Sequence, residues 1–265
     1  MADESKYDKW FAQRRVLTDD ERLEFIATRP LRQAKYPPKD RKPVSDDKPS
    51  ANVDAGSLVS FVSGVSGQAR EDTLNSTLLA QLAADVKFKR ESDTRDWYDY
   101  YKWVLGNIFW TIQSFSFETF GSGTKTFKMD EVIIKVLESL LTDNEKALLE
   151  ATIQSLKALA DDDRRVTIFN QESVKSTKGN FQAAVAKDDK NDVVLRIGAF
   201  YFTTNTEVTR LLWAEFTSSE TSLYKGTQEM VLNRASSGYP QVRDQIVKKL
   251  GTRAKQFVDD LDIGG

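Results

Sequence analysis

The side chains that could perform chemistry are limited in this chain, because it contains no cysteine and no histidine. The absence of cysteine excludes disulfides, thiolate nucleophiles and the usual structural zinc and iron–sulfur sites. The absence of histidine removes the commonest general base near neutral pH and the commonest transition-metal ligand. A Ser–His–Asp or Cys–His arrangement therefore cannot be built, and catalysis would have to use carboxylates, lysine, tyrosine or serine.

One short motif has the spacing of a nucleophilic serine and its lysine, since Ser222 and Lys225 form the pattern Ser-x-x-Lys. In acyl-transfer enzymes of that type the serine begins a helix, which places the lysine one turn away on the same side. Here the surrounding residues alternate as in a strand, where side chains three positions apart point to opposite faces. The motif is interpreted as a coincidence, and no catalytic residue is predicted.

Two groups of aspartates are the candidates for binding a hard cation. They are residues 161–163 and the group formed by Asp188, Asp189 and Asp192. Neither group has the alternating ligands, central glycine and distant glutamate of a calcium-binding loop, so solvated turn residues are the preferred interpretation. No metal site and no cofactor is predicted. A carboxylate pair, with or without Mg²⁺ or Ca²⁺, is the remaining enzymatic alternative, although no particular pair is identified.

Residues 93–113 predict a helix that is apolar on two opposite sides. One side carries Trp97 and Tyr101, and the other carries Tyr100, Trp103 and Trp110. Such a helix is either central to a bundle or covered by a partner. A surface covered by another subunit and a segment that inserts in a membrane are both functional alternatives to a core helix. The candidate interface or membrane-contact residues are Trp97, Tyr100, Trp103, Ile108, Phe109, Trp110, Phe115 and Phe117.

Residues 1–50 are predicted to form a helical segment followed by a basic arm, separate from a single α+β domain over residues 51–265. Five of the six prolines fall within residues 29–50, where they remove amide donors and prevent a helix. Basic residues outnumber acidic ones in this stretch. The arm is therefore either a flexible tether or a strap that lies on a neighbouring subunit or an acidic partner.

The order of the predicted elements is helices, then strands, then a helix, which indicates an α+β fold. The connections between the strands are too short for parallel crossovers, so an antiparallel meander of about five strands with helices on one face is predicted. The predicted helices within the domain are 71–89, 93–113, 129–141, 142–160 and a segment that begins at Tyr239. The predicted strands are 166–169, 181–186, 193–202, 208–217 and 222–232.

The sequence favours a non-enzymatic protein that binds a partner or assembles with itself, using the aromatic helix and the arm as interfaces. The alternative is a soluble membrane-active, pore-forming toxin or effector in which residues 97–127 rearrange on contact with lipid. A second copy or another protein is the predicted partner, with membrane lipid as the alternative, and a net charge of −2 argues against nucleic acid. The charged amino terminus lacks a signal peptide's apolar segment, which predicts a cytoplasmic location or export without a cleavable signal.

Overall fold

The fold is built from one large sheet and the helices that pack on it. The computed structural model describes residues 9–112, 116–234 and 238–263. The helices are α1 (Asp19–Thr28), α2 (Gly67–Lys87), α3 (Thr94–Asn107), α4 (Met129–Leu137), α5 (Asp143–Lys157), α6 (Arg164–Ser173), α7 (Tyr239–Leu250) and α8 (Arg253–Phe257). The strands are β1 (Ser50–Asp54), β2 (Ser57–Phe61), β3 (Trp110–Ile112), β4 (Glu118–Thr119), β5 (Thr126–Lys128), β6 (Val174–Lys175), β7 (Lys178–Asp189), β8 (Asp192–Thr204), β9 (Glu215–Thr217), β10 (Thr221–Leu232) and β11 (Val258–Leu261).

The large sheet is mixed, and its strand order is β11-β1-β2-β7-β8-β10-β3. The α+β class predicted from the sequence is confirmed, and β7, β8 and β10 form the predicted antiparallel core. The prediction of a five-stranded meander needs correction, because the β1–β2 hairpin joins β7 in a parallel pair. The long stretch of chain between residues 61 and 178 allows this parallel pairing, which short hairpin connections would have excluded.

The turn between β7 and β8 shows how local sequence produces the long hairpin. Asp189 pairs with Asp192, so only Lys190 and Asn191 connect the two strands. Both residues have positive φ angles, 55° and 74°, which is the type I′ geometry whose twist matches that of the flanking strands. Asparagine tolerates this left-handed conformation better than most residues. The turn therefore fixes the register along the full length of both strands.

Helices cover both faces of the sheet, whereas the sequence predicted helices on one face. Arg196 of β8 reaches Glu145 of α5, and a side chain built at the neighbouring Gly198 would meet Leu137 of α4. On the opposite face, Asp54 of β1 contacts Thr77 of α2. The strands of the core are buried on both sides, so both faces need a covering layer. Within the described ranges, none of the helices combines the length and apolar character needed to cross a bilayer.

Helix starts follow the sequence closely. The backbone N–H of Thr142 donates to Glu145 Oε2 at 2.8 Å, and the N–H of Glu145 donates to Thr142 Oγ1 at 3.4 Å. The N–H of Thr18 likewise donates to Glu21 at 3.0 Å at the start of α1. Both Thr-x-x-Glu sequences therefore form capping boxes.

Two sequence predictions in the second half of the chain were wrong. Residues 166–169 were predicted as a strand because the apolar period changes to two after Asp163, but they lie inside α6. Asp163 begins this helix by accepting the N–H of Arg165 at 2.8 Å, so capping and packing prevail over β propensity. Residues 208–217 contain only a 3₁₀ turn at Leu211–Trp213 and the three residues of β9.

The basic arm lies along its own chain. Arg32 donates to Asp85 at 2.9 Å and also binds Glu172. Lys39 contacts Asp259 at 2.9 Å. The arm is thus held by intramolecular ion pairs, and the acidic partners that its charge predicted are found within the same molecule.

Candidate functional site

The central feature of the sheet is the length of its three core strands. β7, β8 and β10 contain 12, 13 and 12 residues and pair along their whole length, from Thr204 opposite Thr221 to Val193 opposite Leu232. Strands in globular proteins are usually about 5–6 residues long. At about 3.3 Å per residue each of these strands extends for roughly 40 Å.

Apart from Lys178 and Asp188 at the two ends of β7, one face of the three core strands carries no charge, and we call this uncharged part the uncharged face. Side chains alternate between the faces of a strand, so the register defines its members. The two tyrosines are half-buried, and the other members are buried. The uncharged face consists of Asn180, Gln182, Ala184 and Ala186 of β7, Val193, Leu195, Ile197, Ala199 and Tyr201 of β8, and Tyr224, Gly226, Gln228, Met230 and Leu232 of β10.

The opposite face, which we call the charged face, carries Lys187, Arg196, Lys225 and Glu229. Arg196 Nη1 donates to both carboxylate oxygens of Glu145, at 2.8 and 2.6 Å, and its Nε donates to Glu229 at 3.2 Å. Only 7% of the Glu145 side chain is exposed, so this pair is shielded from solvent. The charged face is therefore held against α5 by a buried ion pair that also completes a helix cap.

Aromatic side chains of α3 pack over the uncharged face. The ring of Tyr98 lies 5.0 Å from Phe117, which lies 4.9 Å from Tyr201 on the face itself. Trp97 and Tyr101 stack at 5.4 Å within the same layer. The Tyr98 hydroxyl donates to the backbone carbonyl of Phe181 in β7 at 3.3 Å. The layer formed by α2 and α3 thus shields a large apolar area of the sheet from water.

A group of buried polar side chains interrupts this contact, and we call it the polar seam (Asp54, Thr77, Gln81 and Arg90). Thr77 Oγ1 donates to Asp54 Oδ2 at 2.6 Å, and Gln81 Nε2 donates to the backbone carbonyl of Asp54 at 3.1 Å. Arg90 Nη2 donates to Gln81 Oε1 at 3.1 Å. The seam links β1 to α2 and to the loop that follows α2.

The polar seam is incompletely satisfied. Asp54 is fully buried, and its Oδ1 has no hydrogen-bond partner within the part of the chain that the structure describes. Burial raises the pKa of Asp54 to about 7, because the charged form loses its hydration. Nε and Nη1 of Arg90 are also buried without partners among the described residues. Polar groups left unpaired in this way weaken the contact between the two layers.

The eight residues predicted as an interface are distributed between two environments. None of those that the structure describes is fully exposed, so contact with a partner would require the segment to move. Trp97, Tyr100, Ile108 and Trp110 are buried, Trp103, Phe109 and Phe117 are half-buried, and Phe115 lies outside the described residues. Their role as an interface remains a prediction.

The N-terminal segment explains why α3 is apolar on two sides. The ring of Phe11 lies 5.0 Å from Tyr100, and that of Phe25 lies 5.2 Å from Trp103. Trp103 Nε1 donates to the carbonyl of Arg15 at 3.2 Å. The helix is therefore central in the chain, between the sheet and residues that precede the arm. The helix ends near Asn107, and the left-handed φ of 72° at Phe109 turns the chain into β3.

An aromatic rim lies at one end of the core strands. Tyr201 and Tyr224 stack at 4.5 Å, and both are half-buried. Phe127 and Phe216 stack at 5.4 Å on the short β5–β9 ribbon. Sequence reasoning did not identify this rim, because its members come from distant strands and meet only through the register of the sheet.

Several of the residues considered for catalysis or metal binding have structural partners. Asp163 caps α6, and Asp161 binds Arg210 at 2.8 Å. Two carboxylates that do converge, Asp85 and Glu172, are both bound by Arg32. No cluster of three or more potential ligands for a metal ion occurs in residues 9–112, 116–234 and 238–263.

Comparison with known proteins gives matches to solved structures only. No protein-family model and no curated protein matches the sequence. A delta-endotoxin is 11% identical, with a TM-score of 0.44, and the match covers 84% of this chain and 98% of that one. The Evf virulence factor is 12% identical with a TM-score of 0.40, covering 87% and 89% of the two chains. The activated Cyt2Ba monomer from Bacillus thuringiensis subsp. israelensis is 10% identical with a TM-score of 0.26, covering 46% of this chain and 70% of that one. The function is therefore argued from the contacts of this chain.

Proposed function

We propose that this protein is membrane-active and that its uncharged sheet face contacts lipid after the α2–α3 layer separates from it. One observation carries the proposal: three neighbouring strands of 12–13 residues present a face that is uncharged except for Lys178 and Asp188 at the ends of β7, and the α2–α3 layer covers that face. A transmembrane strand needs about 9–11 residues at a tilt near 45°. Each core strand meets this length, and their mutual pairing satisfies the backbone groups between them. The outer edges of β7 and β10 have to pair with further strands within lipid.

The two faces of the core suit two different surroundings. The uncharged face offers aliphatic side chains such as Leu195, Ile197 and Met230 to lipid. The charged face, with Arg196 and Glu229, requires water or other polar groups. In membrane barrels the strands alternate in this manner between lipid and a polar lumen. Several copies would have to associate for the charged faces to enclose such a lumen, so membrane activity and self-assembly are parts of one proposal.

The aromatic rim and the polar seam give the proposed change a starting point. Tyrosine is enriched where a bilayer meets water, so Tyr201 and Tyr224 suit a first contact with the headgroup region. The polar seam lowers the cost of separating the layers, because Asp54 and Arg90 gain hydration when they are uncovered. The aromatic side chains of α3 keep the α2–α3 layer on the sheet in water. Separation becomes favourable only when lipid takes their place against the uncharged face.

Two engineered disulfides test which layer must move. Asp54 and Thr77 join the sheet to α2, and their side chains are 2.6 Å apart. Ser60 and Thr152 join the sheet to α5 on the charged face, with their hydroxyl oxygens 2.8 Å apart. Because the chain has no cysteine of its own, each double cysteine variant can form only one intramolecular bridge, whose formation is checked by counting free thiols. Dye release from phosphatidylcholine liposomes is measured with each variant oxidised and reduced.

The expected result is that the oxidised Asp54→Cys/Thr77→Cys variant releases no dye and that reduction restores release. The oxidised Ser60→Cys/Thr152→Cys variant should remain active, since it leaves the α2–α3 layer free. Release by the first variant in its oxidised form, or a loss of release confined to the second, would contradict the proposal. Light scattering with and without liposomes completes the test. Oligomers found only with lipid support it, whereas a defined oligomer in buffer, lost on changing Trp103, favours an assembly protein without membrane action.

A further inference from the structure

A cleft of about 460 Å³ lies beside the polar seam and has not been assigned a role above. It is bounded by the arm, by the loop that follows α2, and by the end of α6 with β6. Small-molecule sites usually have volumes of about 300–1,000 Å³. The cleft is therefore large enough for a small polar ligand, and its lining decides which kind.

Positive charge dominates the lining of the cleft. Two of the lining cations are already paired. Arg32 forms ion pairs with Asp85 and Glu172, and Lys175 binds Glu91 at 2.7 Å. Three further cations line the same space, and no carboxylate lies within 4 Å of them in the described part of the chain. These cations are Lys35, Lys89 and Arg90. Five cations thus face three carboxylates, which leaves an excess of two positive charges.

The floor of the cleft contains polar atoms that lack partners among the described residues. Ser173 is 3% exposed and Asn180 is 1% exposed, yet Ser173 Oγ and Asn180 Oδ1 have no hydrogen bond among the described residues, and of these two atoms only Ser173 Oγ can donate to an anion. Buried polar groups in native proteins are normally paired with protein, water or ligand. The Asn180 amide nitrogen donates to the carbonyl of Arg90 at 3.1 Å, which holds these groups in one place.

We infer that this cleft binds a phosphate monoester. A monoester carries between one and two negative charges near neutral pH, which matches the excess positive charge of the lining. Its terminal oxygens accept several charge-assisted hydrogen bonds, as the ammonium groups of Lys35 and Lys89 require. The Ser173 hydroxyl supplies a neutral donor at the floor. A phosphodiester has fewer terminal oxygens and one charge, so it fits the lining less well.

Calorimetry tests the site with glycerol phosphate as a soluble monoester. Saturable binding is expected, and Lys35→Gln/Lys89→Gln should weaken it at least about tenfold, since each lysine supplies a charge-assisted contact. Both lysines are exposed, so the variant should fold normally. Ser173→Ala should also weaken binding without changing the charge. The matched control is Lys125→Gln/Lys190→Gln, which removes the same charge from exposed positions outside the cleft.

Vesicles distinguish the two sources of such a ligand. Phosphatidic acid exposes a phosphate monoester, whereas phosphatidylglycerol exposes a diester of similar size. Binding to phosphatidylcholine vesicles that contain phosphatidic acid, in preference to phosphatidylglycerol, identifies a lipid headgroup. Binding to glycerol phosphate alone identifies a soluble ester. Absence of binding in both experiments, or equal weakening by the control variant, would overturn the inference. The result of these binding experiments is independent of the proposed membrane activity, because the dye-release test of that activity uses phosphatidylcholine alone.

Discussion

Replacing Asp54 by asparagine should stabilise the protein, and the gain should grow as the pH rises. Asp54 is fully buried, accepts a hydrogen bond from Thr77 at 2.6 Å and leaves one oxygen unpaired within the described residues. Asparagine has nearly the same shape, and its carbonyl oxygen can keep the bond from Thr77. The substitution removes only the ability to carry a negative charge.

The size of the effect follows from the shift in pKa. Burial raises the pKa of Asp54 from 3.8 to about 7, so the folded state binds the proton more tightly than the unfolded state. The associated stability is fully present below the unfolded pKa and is lost as the pH rises through the folded value. Each pKa unit corresponds to about 1.4 kcal/mol, which gives roughly 4 kcal/mol over the whole range. About 3 kcal/mol of this falls between about pH 5 and about pH 8.

Urea unfolding of both proteins at about pH 5 and about pH 8 measures this difference. The chain has no histidine, so few other side chains titrate in this window. The advantage of Asp54→Asn should be about 3 kcal/mol larger at the higher pH. If the free energies of unfolding of the two proteins differ by the same amount at both pH values, burial in the polar seam does not destabilise the charged form of Asp54, and the reasoning is refuted.

Two further predictions concern the contacts on either side of the sheet. Gly56→Ala would place a methyl group 2.8 Å from the guanidinium of Arg90, so Arg90 must move and the free energy of unfolding should fall by about 1–2 kcal/mol. An unchanged unfolding midpoint in urea would show that Arg90 has no fixed position. Glu145→Ala should cost about 3–5 kcal/mol, because it leaves Arg196 without its buried partner and removes a helix cap. Glu229→Ala is the control and should cost less than about 1 kcal/mol, because Glu229 is a third exposed, and equal losses for the two glutamates would contradict this assignment.

Local signals in the sequence predicted the fold class and the three core strands, because each depends on residues close together in the chain. The parallel pairing of β2 with β7 depends on contacts between residues more than a hundred positions apart, which no periodicity records. The helix predicted over residues 93–113 was too long, since the left-handed residue Phe109 ends it.

The candidate site was predicted only in part. The two-sided aromatic pattern correctly indicated that α3 is central or covered, but it did not show that Phe11 and Phe25 provide one cover. Asp54 is a single acidic residue two positions before Gly56, and nothing in the sequence around it suggested a buried carboxyl. The uncharged face was also missed, because it emerges only when three strands are placed in register.

The arm and α6 together protect one border of the sheet from aggregation. β11 is the last strand on that side, and an unpaired strand edge offers its backbone to any other extended chain. Here the outward N–H of Asp260 donates to the Asp259 carboxylate at 3.0 Å, and its carbonyl accepts from Arg165 at 3.2 Å. The backbone N–H of Lys42 binds the Asp260 side chain at 2.8 Å, which brings the proline-rich arm across the same border. A chain that lacks the arm would therefore be expected to form intermolecular β-structure at this edge, even where its core folds normally.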